Sequence, residues 1–254
     1  VTTPPITVVD LSVPEAGPHQ VAAATHIGPV RKENQDAFGA TPLSGQNGIA
    51  LLVADGMGGL PGGGEAATAA VTAALEVLAA GAADRETVIA AVLAANTAVG
   101  ELRASIGGQP GTTLTIAAVS GRHAAIGHAG DSRAYLVSDG EALLLTSDHS
   151  WVGEQVRAGA LPPGSERHHQ RRNVITRAVM GGDLEPEAVD LELGVGDVLV
   201  LCSDGFWEPL RDPDIATLIA TPGPLTAVVA RAAEAALDAG ATDNVSLVAL
   251  RTDG

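Results

Sequence analysis

The chain has 254 residues, 46% hydrophobic and 17% charged, enough to bury one full-sized interior, and this composition excludes a disordered or collagen-like polypeptide. Only 2% of residues are aromatic, so Ala, Val, Leu and Ile must fill the core and few rings are left for stacking nucleic-acid bases. With 14 Lys and Arg against 30 Asp and Glu, the net charge of −16 has the wrong sign for clamping a phosphate backbone, so no nucleic-acid partner is expected.

Residues 1–18 carry Pro4, Pro5, Pro14 and Pro18 among small and apolar residues and read as an extended tail or edge segment, with residues 19–254 forming one domain. A start at Val1 is what a processed product or a fragment would show. That start lacks a basic flank and apolar block, and no uninterrupted apolar run approaches the roughly 20 residues of a membrane helix, so no membrane segment is expected. A strand is predicted over 49–54 and Ala-rich helices over 64–78 and 84–104, the second with Asp84 as N-cap and Gly107 beyond its end. Short β-branched or apolar runs at 112–119, 123–127, 132–137, 142–146, 197–202 and 244–250 read as strands, and 212–219 with 224–239 as a further helical group. Strands clustered in sequence with helices grouped between them predict an α+β layered domain with antiparallel sheets. Cys202 lies inside an apolar run and reads as a buried spectator thiol, which suits a reducing cytoplasm.

Asp36, Asp55, Asp131, Asp204 and Asp243 each fall at or beside the end of a strand-like run, next to a small residue. A carboxylate there is costly unless something positive compensates it, and several sharing one pocket would repel one another into taking up protons. A divalent cation resolves both problems. All-oxygen ligands suit Mg2+ or Mn2+, and no clustered Cys or paired-His helix points to zinc. Singly, each of these acids reads as an ordinary turn residue; the ensemble carries the argument. Just ahead of them Arg31 offers a guanidinium for a phosphate group. Arg133, Arg172 and Arg177 read first as structural ion-pair partners, Asp148 as a turn residue, His128 as a satisfied interior group and His149 as hydrogen-bonded. His168 and His169, being adjacent, are not expected to share a metal. Thr112 and Thr113 read as strand residues, with a supporting role behind the acids left open.

These residues fall into an ordered series of motifs. Arg31, Asn34, Gln35 and Asp36 come first, then Asp55, Gly56, Met57, Gly58 and Gly59. Gly111-Thr112-Thr113, Gly130-Asp131-Ser132-Arg133, Asp148-His149-Ser150 and Arg172-Asn173 follow, and Ser203-Asp204-Gly205 and Asp243-Asn244 close the series. In that order, over about residues 21–250, the chain resembles the PP2C-type (PPM) metal-dependent protein serine/threonine phosphatases of bacteria. The resemblance implies a four-layer α-β-β-α sandwich with two central antiparallel sheets flanked by helix pairs, and a site for two ions of Mn2+ or Mg2+. By the same resemblance Asp55 bridges the ions, Asp204 and Asp243 hold the first, and the Gly56 carbonyl with Asp36 through water serves the second. Asp131 with Asp204 would hold a weaker third ion, Arg31 would bind the substrate phosphate, and a hydroxide shared by the two ions would attack phosphorus without a covalent intermediate. Residues 147–182 resemble the flap beside the cleft. Gln35 stands where many members carry Glu, and Met57 where some carry a His. The expected partners are phosphorylated proteins, Ser/Thr kinases or their substrates among them, met by a monomer. A catalytically silent phospho-binding module and a phosphatase of small metabolites are the readings left open beside this one.

Overall fold

The computed structural model describes residues 4–13, 17, 19–45, 47–57 and 62–252; Pro14, Pro18, Gly58 and Gly59 lie outside the described residues. In chain order the strands are β1 (Thr7–Asp10), β2 (Gln20–His26), β3 (Asp36–Pro42), β4 (Gly48–Met57), β5 (Gly111–Thr112) and β6 (Leu114–Ser120). They continue with β7 (His123–Ala129), β8 (Arg133–Ser138), β9 (Glu141–Leu144), β10 (Glu187–Glu192), β11 (Val198–Cys202) and β12 (Val245–Arg251). The helices are α1 (Gly63–Ala80), α2 (Arg85–Ile106), α3 (Trp151–Arg157), α4 (Asp204–Trp207), α5 (Asp212–Ile219) and α6 (Leu225–Asp238).

The strands form two antiparallel sheets. One runs β10-β7-β6-β4-β3, with β5 paired only to the end of β4, and the other β1-β2-β12-β11-β8-β9. Alternation along β4 explains the layering. Ile49, Leu51 and Val53 point between the sheets against Val21, Leu199 and Val248, whereas Ala50, Leu52 and Ala54 face Ala67, Val92 and Val99 of α1 and α2. On the far side, Val200 and Leu247 meet Phe206, Ile215 and Val228 of α4, α5 and α6. The product is the four-layer sandwich expected, helices outside and sheets within.

Asp84 caps α2 as predicted, accepting the Thr87 N–H at 2.8 Å. By length and composition α2 would pass for a membrane span, with a window of mean hydropathy 1.2. Its face of Val88, Ala91, Val92, Ala95 and Val99 is instead buried among α1 and the first sheet.

Local readings fail where tertiary contacts intervene. The strand predicted over 112–119 is two pieces, because Thr113 turns its side chain and main chain to Asp55 instead of continuing a ladder. Asp204 opens a short helix directly after β11. β2, β3, β10 and α3 carry no clear period in sequence; they are defined by their partners, as in the seven-residue register of β2 on β12 from Val245↔His26 to Arg251↔Gln20. Part of residues 1–18 is ordered in this way too, Thr7–Asp10 pairing as an edge strand on β2.

Candidate metal centre and phosphate cavity

The topology gathers acids from both sheets. Asp36 opens β3 and stands in register opposite Asp55 of β4, while Asp131 occupies the turn between β7 and β8. Asp204 follows β11 and Asp243 precedes β12, and these two strands are neighbours in the second sheet. Asp55, Asp131, Asp204 and Asp243 line one cavity of about 280 Å3. Arg31, Gln35, Gly56, Met57 and Asn244 line it as well, together with Asn173 and Ile175 of the flap-like segment. Asp36 lies behind Asp55, its Oδ2 accepting the Ser203 hydroxyl at 2.8 Å.

Burial dominates the electrostatics here. Desolvation, then the charges of Asp36, Asp204, Asp131 and Asp243, holds the Asp55 carboxyl well above the usual carboxylate range. Asp204 is raised in the same way, by burial and then by Asp131, Asp243 and Asp36. Burial lifts Asp131 to about 7 against the pull of Arg133, and Asp36 to about 6 against the hydrogen bonds of Ser246 and Ser203.

Arg31 pairs with Asp243, which together with Asp204 and Asp55 holds its guanidinium still more firmly protonated. Among the described residues, no three His, Cys, Asp or Glu side chains stand close enough to cage one ion as placed. The donor set nevertheless fits divalent cations: Asp36 Oδ1 and Asp204 Oδ1 are buried without a hydrogen-bond partner. Such orphaned anionic oxygens are costly unless a cation or water meets them. Every donor is an oxygen, as hard ions prefer.

Close packing fixes the frame. A Cβ at Gly56 would lie 2.3 Å from the Gly63 carbonyl oxygen and 2.6 Å from that of Gln35, so only glycine lets the end of β4 pass there. Gly28, at φ +77°, would likewise drive a Cβ to 2.1 Å from the Asp243 carbonyl oxygen. Behind Asp55, the Thr113 hydroxyl accepts its N–H at 2.9 Å, and its carbonyl accepts the Thr113 N–H and the Thr112 hydroxyl, each at 2.9 Å. Thr112 and Thr113 thus hold the main chain of Asp55.

Sequence reasoning missed Asn244 as a hub. Its Oδ1 accepts the Gln35 N–H at 2.9 Å, and its Nδ2 donates to the carbonyls of Ile27 at 2.7 Å and Glu33 at 2.9 Å. One amide thereby ties the loop bearing Arg31 to the strand end bearing Asp243. The signal available was an Asn beside an Asp at a strand start, which reads equally as a turn.

The remaining polar candidates are committed elsewhere. Arg133 makes a bidentate pair with Asp148 at 2.9 and 2.8 Å, stacks 3.5 Å over the Trp207 ring and is shut away from the cavity. Arg172 pairs with Glu208. Arg177 lies 3.3 Å from His149, whose ring also accepts the Gly130 N–H at 3.2 Å and meets Glu187 at 3.2 Å. His128 is buried between Thr115 and the Ser147 carbonyl, as an interior group should be. Cys202 is buried, its thiol pushed well up by desolvation.

Comparison with known proteins agrees with this geometry. The protein phosphatase 2C family profile matches residues 29–237. The chain belongs to the protein phosphatase 2C family. Among family members, the serine/threonine protein phosphatase PstP of Mycobacterium tuberculosis is 36% identical over 238 residues, covering 89% of this chain and 44% of PstP. The chain therefore spans about half the length of that curated relative. The serine/threonine phosphatase of S. agalactiae superposes with a TM-score of 0.85 at 30% identity, covering 92% of this chain and 100% of that one. The catalytic domain of PstP, solved with two manganese ions, superposes at 0.81 with 30% identity over 98% of this chain and all (100%) of that domain. The PP2C resemblance read from the motifs is borne out.

Proposed function

We propose that this protein phosphatase 2C domain removes phosphate from phosphoserine and phosphothreonine in proteins, using two ions of Mn2+ or Mg2+ and no covalent intermediate. The observation that carries the reading is the single cavity in which buried carboxylates, two with orphaned oxygens, meet an exposed guanidinium. Bound there, the ions would supply an acidified water for in-line attack and offset charge on the phosphoryl oxygens.

The chain's own residues do the rest. Asp55, Asp204 and Asp243, with the Gly56 carbonyl and with Asp36 behind Asp55, would hold the ions; Asp131 with Asp204 would hold a third. Ser203 orients Asp36 through its hydroxyl, leaving Oδ1 free to act through water. Arg31 leaves Asp243 to grip the substrate phosphate, a change for which its exposed side chain has room. Asn173 and Ile175 face the residues flanking the phosphate. Among the described residues Cys202, the single thiol, is buried away from the cavity with a raised pKa and is not placed as a nucleophile. The thioether of Met57, also lining the cavity, has no proton to give, so the leaving oxygen would take its proton from water or from another group. Phosphorylated proteins met in the cytoplasm by a monomer are the partners this reading assigns.

The test is turnover of p-nitrophenyl phosphate and of a phosphothreonine peptide with Mn2+, with Mg2+ and with EDTA. Turnover with either ion, abolished by chelation, is expected. Turnover that survives EDTA, or none with either ion, would falsify the reading, and peptide binding without turnover would favour a phospho-binding module.

A further inference from the structure

The buried face of α2 is aliphatic except for one amide, Asn96, which is only 8% exposed. A buried amide inside a helix is destabilising unless its hydrogen-bonding capacity is used. Asn96 uses it on one short segment. Its Oδ1 accepts the N–H groups of Met180 at 2.9 Å and Gly181 at 2.8 Å, and its Nδ2 donates to the Gly182 carbonyl at 2.7 Å. Further along α2, Arg103 donates to the Met180 carbonyl. Between them Gly100 lays bare backbone on Gly181, where a Cβ would come within 2.9 Å of the Gly181 Cα. The C-terminal root of the flap-like segment is thus docked on α2.

From that root a short ladder leads to the cavity. Val179 and Thr112 exchange backbone hydrogen bonds at 3.1 and 2.9 Å. Met180 covers Gly111 so closely that a Cβ there would lie 2.8 Å from its Cγ. β5 is therefore gripped on one edge by the flap root and on the other by Gly56 and Met57 of β4. Thr112 and Thr113 carry the ladder on to the main chain of Asp55.

We infer that Asn96 is a positioning residue: by fixing the flap root it sets β5, and through β5 the main chain of Asp55 and Gly56. The inference rests on the phosphatase reading only where turnover is its readout. No contact with the cavity is involved; the effect passes through two backbone pairings, and a small misplacement of reacting groups is expensive in rate.

The experiment compares wild type with Asn96→Ala by amide hydrogen exchange of the metal-free protein and by steady-state kinetics on p-nitrophenyl phosphate. Exchange at Thr112 and Thr113 should quicken about tenfold together with Met180 and Gly181, while Val200 in the other sheet stays protected. Turnover should fall about tenfold in kcat with KM within about twofold, the mark of misplaced chemistry rather than lost binding. Thr112 and Thr113 exchanging as in wild type, or kcat unchanged, overturns the inference. If Asn96→Ala does not fold, Gly100→Ala, a helix-favouring change that wedges against Gly181, is read by the same two measures and decides it. A wild type without turnover ends the phosphatase reading, and the exchange at Thr112 and Thr113 then decides this one alone.

Discussion

The two walls of the cavity are built differently. On the sheet wall, Asp55, Asp204 and Asp243, with Asp36 behind Asp55, stand at or beside the ends of β4, β11, β12 and β3, which pair in continuous ladders. On the flap wall, Asn173 and Ile175 belong to a stretch with little regular structure, tied down by isolated bonds such as Trp151 N–H to the Val174 carbonyl and Thr176 N–H to the His149 carbonyl, both at 2.8 Å. Groups that must be held within a fraction of an ångström sit on rigid elements, and groups that only have to fit a partner's shape sit on a segment that can vary. In the proposed reading, the chemistry falls to the strand ends and the selectivity to the flap-like segment.

Substitutions can break that division or sharpen it. The largest effect belongs to the sheet wall: Asp204→Asn or Asp55→Ala should lower kcat/KM by about three orders of magnitude with every substrate, since each removes a proposed ion ligand. In metal-free protein the same changes should raise denaturant stability by about 1 kcal/mol, because one of several crowded, desolvated carboxylates is gone. A loss of stability would argue that the acids are structural.

Arg31→Ala comes next, with about a 10- to 100-fold loss in kcat/KM, and Arg31→Lys should recover only part of it because an ammonium lacks the planar fork. Inorganic phosphate inhibition measured alongside should weaken in parallel; unchanged inhibition would remove Arg31 from phosphate binding.

The flap wall should behave otherwise. Ile175→Ala is expected to change the ratio of kcat/KM values between two phosphothreonine peptides of different flanking sequence by about three- to tenfold, while p-nitrophenyl phosphate turnover changes less. A uniform loss across substrates would erase the distinction between the walls.

The last effect, read in stability and not in turnover, lies at the joint between them. His128 meets the Ser147 carbonyl at the start of the flap-like segment, and burial followed by the charge of His149 lowers its pKa to about 4. The unfolded chain takes up this proton near the ordinary pKa of about 6.5 and the folded chain does not, so stability is intact above that pH and declines as pH falls toward 4. Between pH 7 and pH 4, wild type should lose about 2 kcal/mol more than His128→Asn in urea denaturation. Equal losses would show that His128 protonates without cost.

Much of the sandwich was legible because its cues are local. Asp84 caps α2 where an N-cap was read, α5 runs over the residues expected, and the unbroken apolar run 49–54 lies in a strand buried on both faces. β2, with three consecutive alanines, and β10, with Glu187 on one face and Asp190 and Glu192 on the other, gave no comparable cue, because their conformation is decided by pairing with β12 and β7. The same holds around the cavity. The acids and Arg31 were visible as residue types at strand ends, but Asn244 and Asn96 were not, since an Asn in a sequence looks alike whether it caps a turn or holds a segment more than 80 residues away, as the spacing of 84 to 86 residues from Asn96 to its partners shows.

The order of residues by itself determined an aliphatic α+β interior, an acidic surface and an ordered set of carboxylates punctuated by glycine. Only the tertiary structure decided that Asp36 would face Asp55 across a strand pair, that Asp204 and Asp243 would come beside them from the second sheet, and that Arg133 and Asp148 would be spent on each other. The reason is physical: turn and strand preferences act over a few residues, whereas the burial and mutual repulsion that raise the pKa of these acids exist only once distant segments have excluded water from the space between them.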